Sequence, residues 1–340
     1  MARATIADIA RIAQVSTATV DRVLNAREGV SAANRQRVMR AARDLQYLPV
    51  EGGTVLPTRP ARLEFFLPRG RQAFLRDVGL RLEEFAATLP LVEFCRVHDV
   101  ADMTPQGIAT ALGQVDLGTQ GVGVVAVDHP LSRLAVRDLV EAGVKVVTFG
   151  SDLIGTPRSA YIGLDDRVAG RTAALVMGRF SRGRAGKVGL FVGQRAFHGQ
   201  RERELGFTAL IEQEFPALQV LPTVDLMSDN DRSEELMSEM LAAHLDLVGV
   251  YSMGGGRTGM ARAIAGVDRA RRPFVIMHDL SDTTRRSLAA DQIDLVIDQN
   301  ARLVAEQAVI RLLGAIASTG TFLPEHFIEP RLIFRENLTA

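Results

Sequence analysis

The sequence predicts an α/β protein in two parts: three short N-terminal helices, then a larger body built from parallel β-sheets. Residues 5–45 repeat apolar side chains at helical spacing, with a tight turn between the first two helices. Beyond residue 61, short apolar runs alternate with amphipathic helical stretches, as in parallel sheets covered by helices on both faces. The 340 residues also exceed the size, about 250 residues, at which one hydrophobic core stops growing.

The first helix is predicted to begin after Thr5, whose hydroxyl is a good N-cap. Asp8 places negative charge in the first turn, where the helix dipole favours it. Gln14 and Val15 form the turn that ends this helix. The apolar positions that follow helical spacing are Ile6, Ile9, Ala10 and Ala13.

The second helix begins at Ser16, a second hydroxyl cap, and Val15 and Val20 have the spacing of a hydrophobic staple. Its buried stripe is predicted at Val20, Val23 and Leu24, and its solvent face at Thr17, Ala18, Asp21, Arg22 and Asn25. Ser31 caps a third helix, whose inward positions are Val38, Ala41, Ala42 and Leu45. A short second helix with small polar residues at its start suits insertion into a DNA major groove.

The charge distribution fits this interpretation better than the net charge does. The formal net charge of the whole chain is zero, which alone argues against a nucleic-acid partner. Residues 1–50, however, carry eight arginines against four acidic residues, so this part has a charge of +4 and the remainder −4. A basic segment joined to an acidic body attracts the DNA phosphates to that segment, while the body does not bind DNA non-specifically.

Residues 15–25 (VSTATVDRVLN), Val30-Ser31 and residues 45–49 (LQYLP) together resemble the DNA-binding headpiece of the lac-repressor family. Periodicity alone would leave a second interpretation open, a three-helix bundle that binds no DNA. The resemblance implies base contacts from Thr17, Ala18 and Arg22, with Arg22 suited to bidentate pairing with guanine. Arg22 could instead contact phosphate only. The hydroxyl, amide and helix N-terminal groups placed for phosphate contacts are those of Thr5, Ser16, Thr19, Asn25 and Ser31.

Two features depart from the family pattern. Asp21 stands where the family usually has serine, so it either repels the phosphate backbone, orients Arg22 or Arg27, or accepts a hydrogen bond from cytosine. The linker, residues 51–61, has Leu56 where the family inserts a leucine into the minor groove. Its neighbours Gly52, Gly53 and Pro57 disfavour the hinge helix that would present this leucine.

These boundaries divide the chain into a headpiece (residues 1–50), a linker (51–61) and a body (62–340). The body resembles the periplasmic-binding-protein-like effector domain that follows the headpiece in the lac-repressor family, and is most similar to its ribose-binding type. Residues 146–152 (VVTFGSD), 162–166 (IGLDD), Gly206-Phe207 and 296–300 (VIDQN) carry this resemblance. It implies two lobes, each with a parallel sheet, and three crossings between them. We place these crossings near Leu164–Arg167, His278–Ser281 and Glu325–Arg331.

Ligands in such folds bind in the cleft at the carboxyl ends of the strands. The resemblance implies that Phe74 flanks a sugar ring, although packing of its own helix explains it equally well. It also implies that Arg203 grips the ligand, with Arg201 and Arg195 as competitors, and that Asp279 and Gln299 bind hydroxyl groups. The remaining candidates are Ser151, Asp152 and Ser252, where Gly150 and Met253 depart from the ribose-binding pattern. A sugar, a polyol or a sugar phosphate fits these residue types, and ribose itself does not.

Other classes of function have weaker signals. Cys95 is the only cysteine and reads as a small buried hydrophobe, the histidines lack metal-ligand spacing, and no nucleophile motif is present, so we expect neither an enzyme nor a cofactor. Residues 254–259 (GGGRTG) could form a phosphate loop but lack its lysine. Charged residues interrupt any N-terminal apolar run, so we expect no signal peptide, no membrane span and a cytoplasmic location.

The sequence therefore predicts a transcriptional regulator, by family analogy a repressor. A homodimer, or a tetramer, would bind a pseudo-palindromic operator in double-stranded DNA. A small molecule in the cleft would control this binding. The alternative is a solute-binding protein of a transport system, which the helix-turn-helix disfavours because such a protein has no use for one.

Overall fold

The computed structural model describes residues 5–24, 30–31, 34, 37–38, 41, 57, 59–70, 72–317 and 327–338. In the headpiece, helix α1 spans Ile6–Ala13 and helix α2 spans Thr17–Leu24. Between them, Gln14 adopts a left-handed backbone with φ of 52°, which reverses the chain as the sequence predicts. The predicted positions Asn25, Ala42, Leu45 and Leu56 lie outside the described residues.

Side-chain caps begin each headpiece helix. Thr5 and Asp8 form a capping box, and the Ser16 hydroxyl accepts a hydrogen bond of 3.1 Å from the backbone N–H of Thr19. The Ser31 hydroxyl accepts one of 3.3 Å from the N–H of Asn34, where the backbone is helical. The apolar residues at helical spacing form one buried cluster, made by Ile9, Ala10, Ala13, Val20, Val23, Val38 and Ala41.

The first lobe of the body, the N-lobe, is a five-stranded sheet with the strand order β2-β1-β3-β4-β5, in which every pairing is parallel. Six of the seven residues of β1 are buried, since helices cover both faces of the sheet, and this explains its continuous apolar run. The strands are β1 Ala61–Leu67, β2 Val92–Asp99, β3 Gly121–Val124, β4 Lys145–Phe149 and β5 Ala160–Ile162. The helices are α3 Ala73–Ala87, α4 Pro105–Leu112 and α5 Pro130–Glu141.

The second lobe, the C-lobe, is a seven-stranded sheet with the order β12-β11-β10-β9-β6-β7, and β8 also pairs with β6. The edge strand β12 runs antiparallel to β11, which departs from the predicted parallel sheet. The strands are β6 Gly186–Val192, β7 Leu218–Val220, β8 Val224–Asp225, β9 Leu247–Ser252, β10 Phe274–His278, β11 Leu295–Asp298 and β12 Arg331–Ile333. The helices are α6 Asp166–Phe180, α7 His198–Glu214, α8 Asn230–Ala243, α9 Arg257–Ala265 and α10 Asp282–Ala289.

Three segments connect the lobes. The first crosses between β5 and α6 and overlaps the predicted range, Leu164–Arg167. The second lies between β11 and helix α11 (Ala301–Ala317), which packs on α3 and β4 of the N-lobe. Its predicted place, His278–Ser281, is wrong, because α10 and β11 of the same lobe follow β10. The third enters β12 through residues 327–330, where the N–H of Ile328 donates to the carbonyl of Gly163 in the first crossing at 2.8 Å.

Among the described residues, no helix combines the length and apolar character that crossing a lipid bilayer requires. The long apolar segments of the body are instead the buried strands and helix faces of the two lobes. Phe65 and Phe149 meet edge to face in the N-lobe core, and Phe207 stacks on Tyr251 in the C-lobe core. Each lobe therefore has its own hydrophobic core, and the polar residues between them form the cleft.

Candidate functional site

The lobes enclose a small cavity at the carboxyl ends of their strands, which we call the inner cavity. Its volume is about 40 Å³. One water needs about 10–15 Å³ in such a measure, so the closed cleft has room only for a few water molecules. The side chains that line it come from both lobes, with Gln72, Phe74 and Ser151 on one side and Arg203, Asp279 and Gln299 on the other. Any larger ligand must therefore enter when the lobes are apart.

Five of the eight predicted effector residues line this cavity: Phe74, Ser151, Arg203, Asp279 and Gln299. Phe74 lies in the first turn of α3 and is also part of the N-lobe core, so packing and cavity lining are both observed for it. Gly150 lies beside it, where an added Cβ atom would be 4.0 Å from the Phe74 ring. The missing side chain at Gly150 therefore leaves this edge of the aromatic ring open to the cavity.

Arg203 is held rigidly within the C-lobe. Its guanidinium donates one hydrogen bond of 2.7 Å from Nε to Oδ1 of Asp166 and another of 2.7 Å from Nη1 to the Met253 carbonyl. Both charged residues are buried. Burial raises the pKa of Asp166 above its ordinary value, although the neighbouring Arg203 acts in the opposite direction. The arginine thus enters the cavity in a fixed orientation.

Asp279 is the centre of a second buried polar group. Its Oδ2 accepts a hydrogen bond of 2.9 Å from Nη1 of Arg257, and its Oδ1 accepts one of 2.6 Å from Nε2 of Gln299. The other amide atom of Gln299, Oε1, is buried without a hydrogen-bond partner among the described residues, as is Oγ of Ser151. A buried polar atom without a partner costs about 1–3 kcal/mol. These two atoms therefore favour a ligand with hydroxyl groups.

The other three predicted effector residues lie outside the cavity lining. The carboxylate of Asp152 accepts hydrogen bonds from Thr148 at 2.6 Å and from Arg158 at 2.5 Å. Ser252 is fully buried and donates to the Gly254 carbonyl at 3.3 Å. Arg201 is half exposed and donates to Oδ2 of Asp128, 3.4 Å away in the N-lobe.

The third arginine considered, Arg195, donates to the Thr223 carbonyl and pairs with Glu204. Of the three competing arginines, only Arg203 lines the inner cavity. The surface position of Arg201 follows from α7, because a helix that begins at His198 turns Arg203 inward and leaves Arg201 at its edge. Arg195 lies before this helix.

Sequence reasoning missed two residues that line the inner cavity, Phe197 and Gln200, and one that supports it from outside, Arg257. Phe197 is buried beside the N-lobe core although it precedes a C-lobe helix, and the Gln200 amide accepts a hydrogen bond of 2.7 Å from the Gly193 N–H. Arg257, the partner of Asp279, lies inside the glycine-rich segment 254–259. The glycines there have a packing role, since a Cβ atom on Gly259 would be 1.7 Å from the Asn230 carbonyl oxygen. The arginine within that segment was the available signal.

In the headpiece, the residues predicted to contact bases share the exposed face of α2. Thr17, Ala18 and Arg22 are exposed, while Val20 and Val23 on the opposite face are buried. Thr19 and Asp21 are half-buried. The hydroxyls of Thr5 and Ser16 cap the first turns of α1 and α2. An arginine one turn from a helix start can reach base edges in a major groove.

Cys95 in β2 is half-buried, whereas the sequence predicted a buried position. We predict that its thiol is chemically inert. Burial raises the pKa of its thiol from 9.0 to about 12, so at pH 8 the thiolate fraction should be about a thousandfold below that of a free cysteine. We expect iodoacetamide to label the folded protein more slowly by a similar factor. Labelling in urea is the control, and equally fast labelling in the folded state would contradict the burial of this thiol.

The described residues also contain no group of three His, Cys, Asp or Glu side chains arranged to bind a metal ion.

Comparison with known proteins gives matches for both parts of the chain. Residues 5–50 match the family of bacterial regulatory proteins of the lacI type, and residues 68–319 match the periplasmic binding protein domain. The sucrose operon repressor of Vibrio alginolyticus is 30% identical over 90 residues, which cover 26% of this chain and 96% of the relative's sequence.

Solved structures resemble the body. A solute-binding protein of an ABC transporter from Burkholderia graminis, in complex with D-arabinose, superposes with a TM-score of 0.73 at 21% identity over 84% of this chain and 99% of its own. The glucose-galactose binding protein GanP from Geobacillus stearothermophilus gives a TM-score of 0.72 at 18% identity, over 83% of this chain and 100% of its own. At these identities the likeness establishes the fold. With a lacI-type headpiece at its N-terminus and a periplasmic binding protein domain over most of the remainder, this chain belongs to the lacI family of DNA-binding bacterial regulators.

Proposed function

We propose that this regulator is a repressor whose affinity for its operator is controlled by a polyhydroxylated small molecule, a sugar, polyol or sugar derivative, bound between the lobes. The observation that carries the proposal is the pair of buried acceptors without partners, Gln299 Oε1 and Ser151 Oγ, beside Arg203 and Asp279 in the inner cavity. One acceptor comes from each lobe. A ligand that satisfies both must therefore touch both lobes.

The chemistry of the lining suits a ring that carries hydroxyl groups. Each hydroxyl both donates and accepts, so it can match the carboxylate of Asp279 as well as the guanidinium of Arg203. Phe74 and Phe197 offer apolar surface from opposite lobes to the C–H face of such a ring. Proteins of the same fold have been solved with D-arabinose, myo-inositol and D-fucose, which supports this ligand class.

Contacts between the lobes supply the means of control. The Asp128 N–H donates to the Ala196 carbonyl at 3.3 Å, and the Asp128 carboxylate accepts from Arg201 of the C-lobe. Both contacts require a closed cleft, whereas ligand entry requires an open one. A ligand that binds the two states unequally shifts their populations, and such coupling is typically worth about 1–3 kcal/mol.

At the DNA, Thr17, Ala18 and Arg22 would read bases, with Asp21 oriented beside them. Thr5, Ser16, Thr19, Asn25 and Ser31 would contact phosphates, and Leu56 is the candidate for minor-groove insertion. One recognition helix contacts too few base pairs for useful specificity, so we propose a homodimer on a pseudo-palindromic operator.

A thermal-shift screen of the full chain against pentoses, hexoses, polyols and their phosphates tests the effector class. A ligand that binds only the folded state adds about 2.7 kcal/mol of stability at a hundredfold excess over its Kd. Each hit is then added to an operator-binding assay. Release of DNA supports an inducible repressor, whereas tighter DNA binding indicates a corepressor. Failure of the whole panel would contradict the proposed ligand class.

Asp279→Asn is expected to weaken effector binding about tenfold to a hundredfold, because a hydrogen bond to a charged group contributes about 1.5–3 kcal/mol. The measurement is the effector concentration that half-maximally changes operator binding. Asp138→Asn, which removes an exposed carboxylate on α5, is the matched control. An unchanged half-maximal concentration in Asp279→Asn would contradict the cleft as the effector site.

A further inference from the structure

A second and larger cavity lies at the mouth of the cleft, and we call it the mouth groove. It has a volume of about 610 Å³ and lies between α3 of the N-lobe and the starts of α9 and α10 of the C-lobe. We infer that the effector carries a phosphate ester and that this groove binds the phosphate through Arg76, Arg257 and Arg285. The inference rests on the proposed effector site and specifies the chemical class of its ligand.

The charge of the groove favours an anion. Four arginines line it against two aspartates, Asp77 and Asp282. Arg81 is already paired with Asp77 and Glu84 on its own helix. Arg76, one turn earlier and exposed, has no carboxylate within 4.0 Å among the described residues. Its positive charge is therefore available to a ligand.

The backbone adds donors at the same place. Helix α9 begins after Gly256, which has φ of 68° and no side chain to cap the first N–H groups. The neighbouring helix α10 differs, because the Ser281 hydroxyl caps it through the N–H of Thr284 at 3.3 Å. Thr258 and Thr283 join the two helix starts through a hydroxyl contact of 3.2 Å. An uncapped helix start beside arginines is a favourable environment for phosphate.

The mouth groove adjoins the inner cavity, which contains the unpartnered atoms of Gln299 and Ser151. At two places, consecutive residues line the inner cavity and the groove. Gly254 lines the inner cavity and Gly255 lines the groove. In the same way, Asp279 lines the inner cavity and Leu280 lines the groove. The ion pair of 2.9 Å between Arg257 and Asp279 lies between them. One ligand can therefore place hydroxyl groups against Asp279 and a phosphate against the other side of Arg257.

The three arginines that the sequence offered as ligand-gripping residues, Arg195, Arg201 and Arg203, do not line the mouth groove. Arg195 pairs with Glu204, Arg201 with Asp128 and Arg203 with Asp166, so their charges are compensated within the protein. The groove arginines come from α3, α9 and α10. Arg257 is paired with Asp279, so the charge available to a ligand is that of Arg76. The same segment, 254–259, was the sequence's candidate phosphate loop, and here its arginine and its helix start carry the function without the lysine of that motif.

The test compares sugars with their own phosphate esters on the full chain. Ribose, glucose and fructose, their phosphate esters, and inorganic phosphate are titrated by calorimetry against wild type, Arg76→Gln and the control Arg137→Gln. Arg137 is exposed on α5, away from the groove. We expect at least one ester to bind about tenfold or more tightly than its parent sugar, and Arg76→Gln to remove about tenfold of that affinity. The difference in affinity between the ester and its parent sugar should become smaller below pH 6, where the phosphate loses its second negative charge.

The outcomes separate the two proposals. If neutral sugars bind as tightly as their esters and Arg76→Gln changes nothing, the phosphate subsite is wrong and the proposed polyol site stands. If no sugar or ester binds, the proposed function fails. The titration with inorganic phosphate then tests the groove by itself. Phosphate binding that Arg76→Gln weakens supports an anion site there, and the absence of phosphate binding overturns it. An equal loss of affinity in Arg137→Gln also overturns the assignment, because the effect then comes from net charge alone.

Discussion

Arg22→Ala is expected to remove sequence-specific operator binding while leaving weak general DNA binding. A bidentate arginine–guanine contact is worth about 1–3 kcal/mol, and a dimer makes it twice, so specific affinity should fall about thirtyfold or more. The structure supports this choice because Arg22 is exposed on α2, while Val20 and Val23 hold the opposite face in the headpiece core. An operator selected from a random-sequence pool by the wild-type protein serves as the target, with unrelated DNA as the reference.

Arg11→Ala is the matched control for this variant. Arg11 is also an exposed arginine of the headpiece, on α1, where it pairs with Asp8 at 3.4 Å. Both variants lose one positive charge, so both should lose a similar part of the salt-dependent attraction to phosphate. Only Arg22→Ala should lower the ratio of specific to non-specific affinity. If that ratio is unchanged, Arg22 contacts phosphate and the base-reading assignment is wrong.

The headpiece could be predicted from the sequence because its signals are local. Thr5 and Ser16 cap the helices that follow them, and the apolar spacing on each helix selects the buried face within one or two turns. The crossings between lobes depend on distant contacts instead. The segment after β10 and the segment after β11 both lead from a strand to a helix, and only packing decides that α10 stays in the C-lobe while α11 joins the N-lobe.

The residues around the inner cavity also divide into those whose position the sequence predicts and those whose position it does not. Asp279 and Gln299 follow directly after strands, and the carboxyl ends of parallel strands meet at the cleft, so their position could be predicted. Asp152 and Ser252 also lie near strand ends, but Asp152 turns toward Arg158 and Ser252 is fully buried beneath Gly254. One step along a strand or turn reverses the direction of a side chain, and sequence position alone does not resolve that step.

Arg203→Met is expected to lower the free energy of unfolding by about 3–5 kcal/mol, because it leaves the buried carboxylate of Asp166 without its counter-charge. The 2.7 Å hydrogen bond to Asp166 and the bond to the Met253 carbonyl are both lost. Urea unfolding of the full chain measures the change. The control Arg302→Met breaks an exposed pair with Glu306 and should have little effect.

The dependence on pH identifies the cause. Burial raises the pKa of Asp166 above its ordinary 3.8, and Arg203 opposes that rise, so the variant should raise the pKa further. An acid whose pKa is raised in the folded state binds more protons there than in the unfolded state. Its stabilising contribution is complete below pH 3.8 and is lost as the pH rises through the folded-state pKa. The free energy of unfolding of Arg203→Met should therefore fall further below that of the wild type at pH 8 than at pH 5.

A double variant, Asp166→Asn with Arg203→Met, separates charge from packing. Removing both charges leaves no ionised group to bury at this place, so most of the lost free energy of unfolding should return. The difference in stability between pH 5 and pH 8 that Arg203→Met introduces should disappear as well. If the double variant is as unstable as Arg203→Met at every pH, the arginine stabilises the C-lobe through packing and through its bond to Met253. The charge of Asp166 would then have no part in holding Arg203 at the cavity.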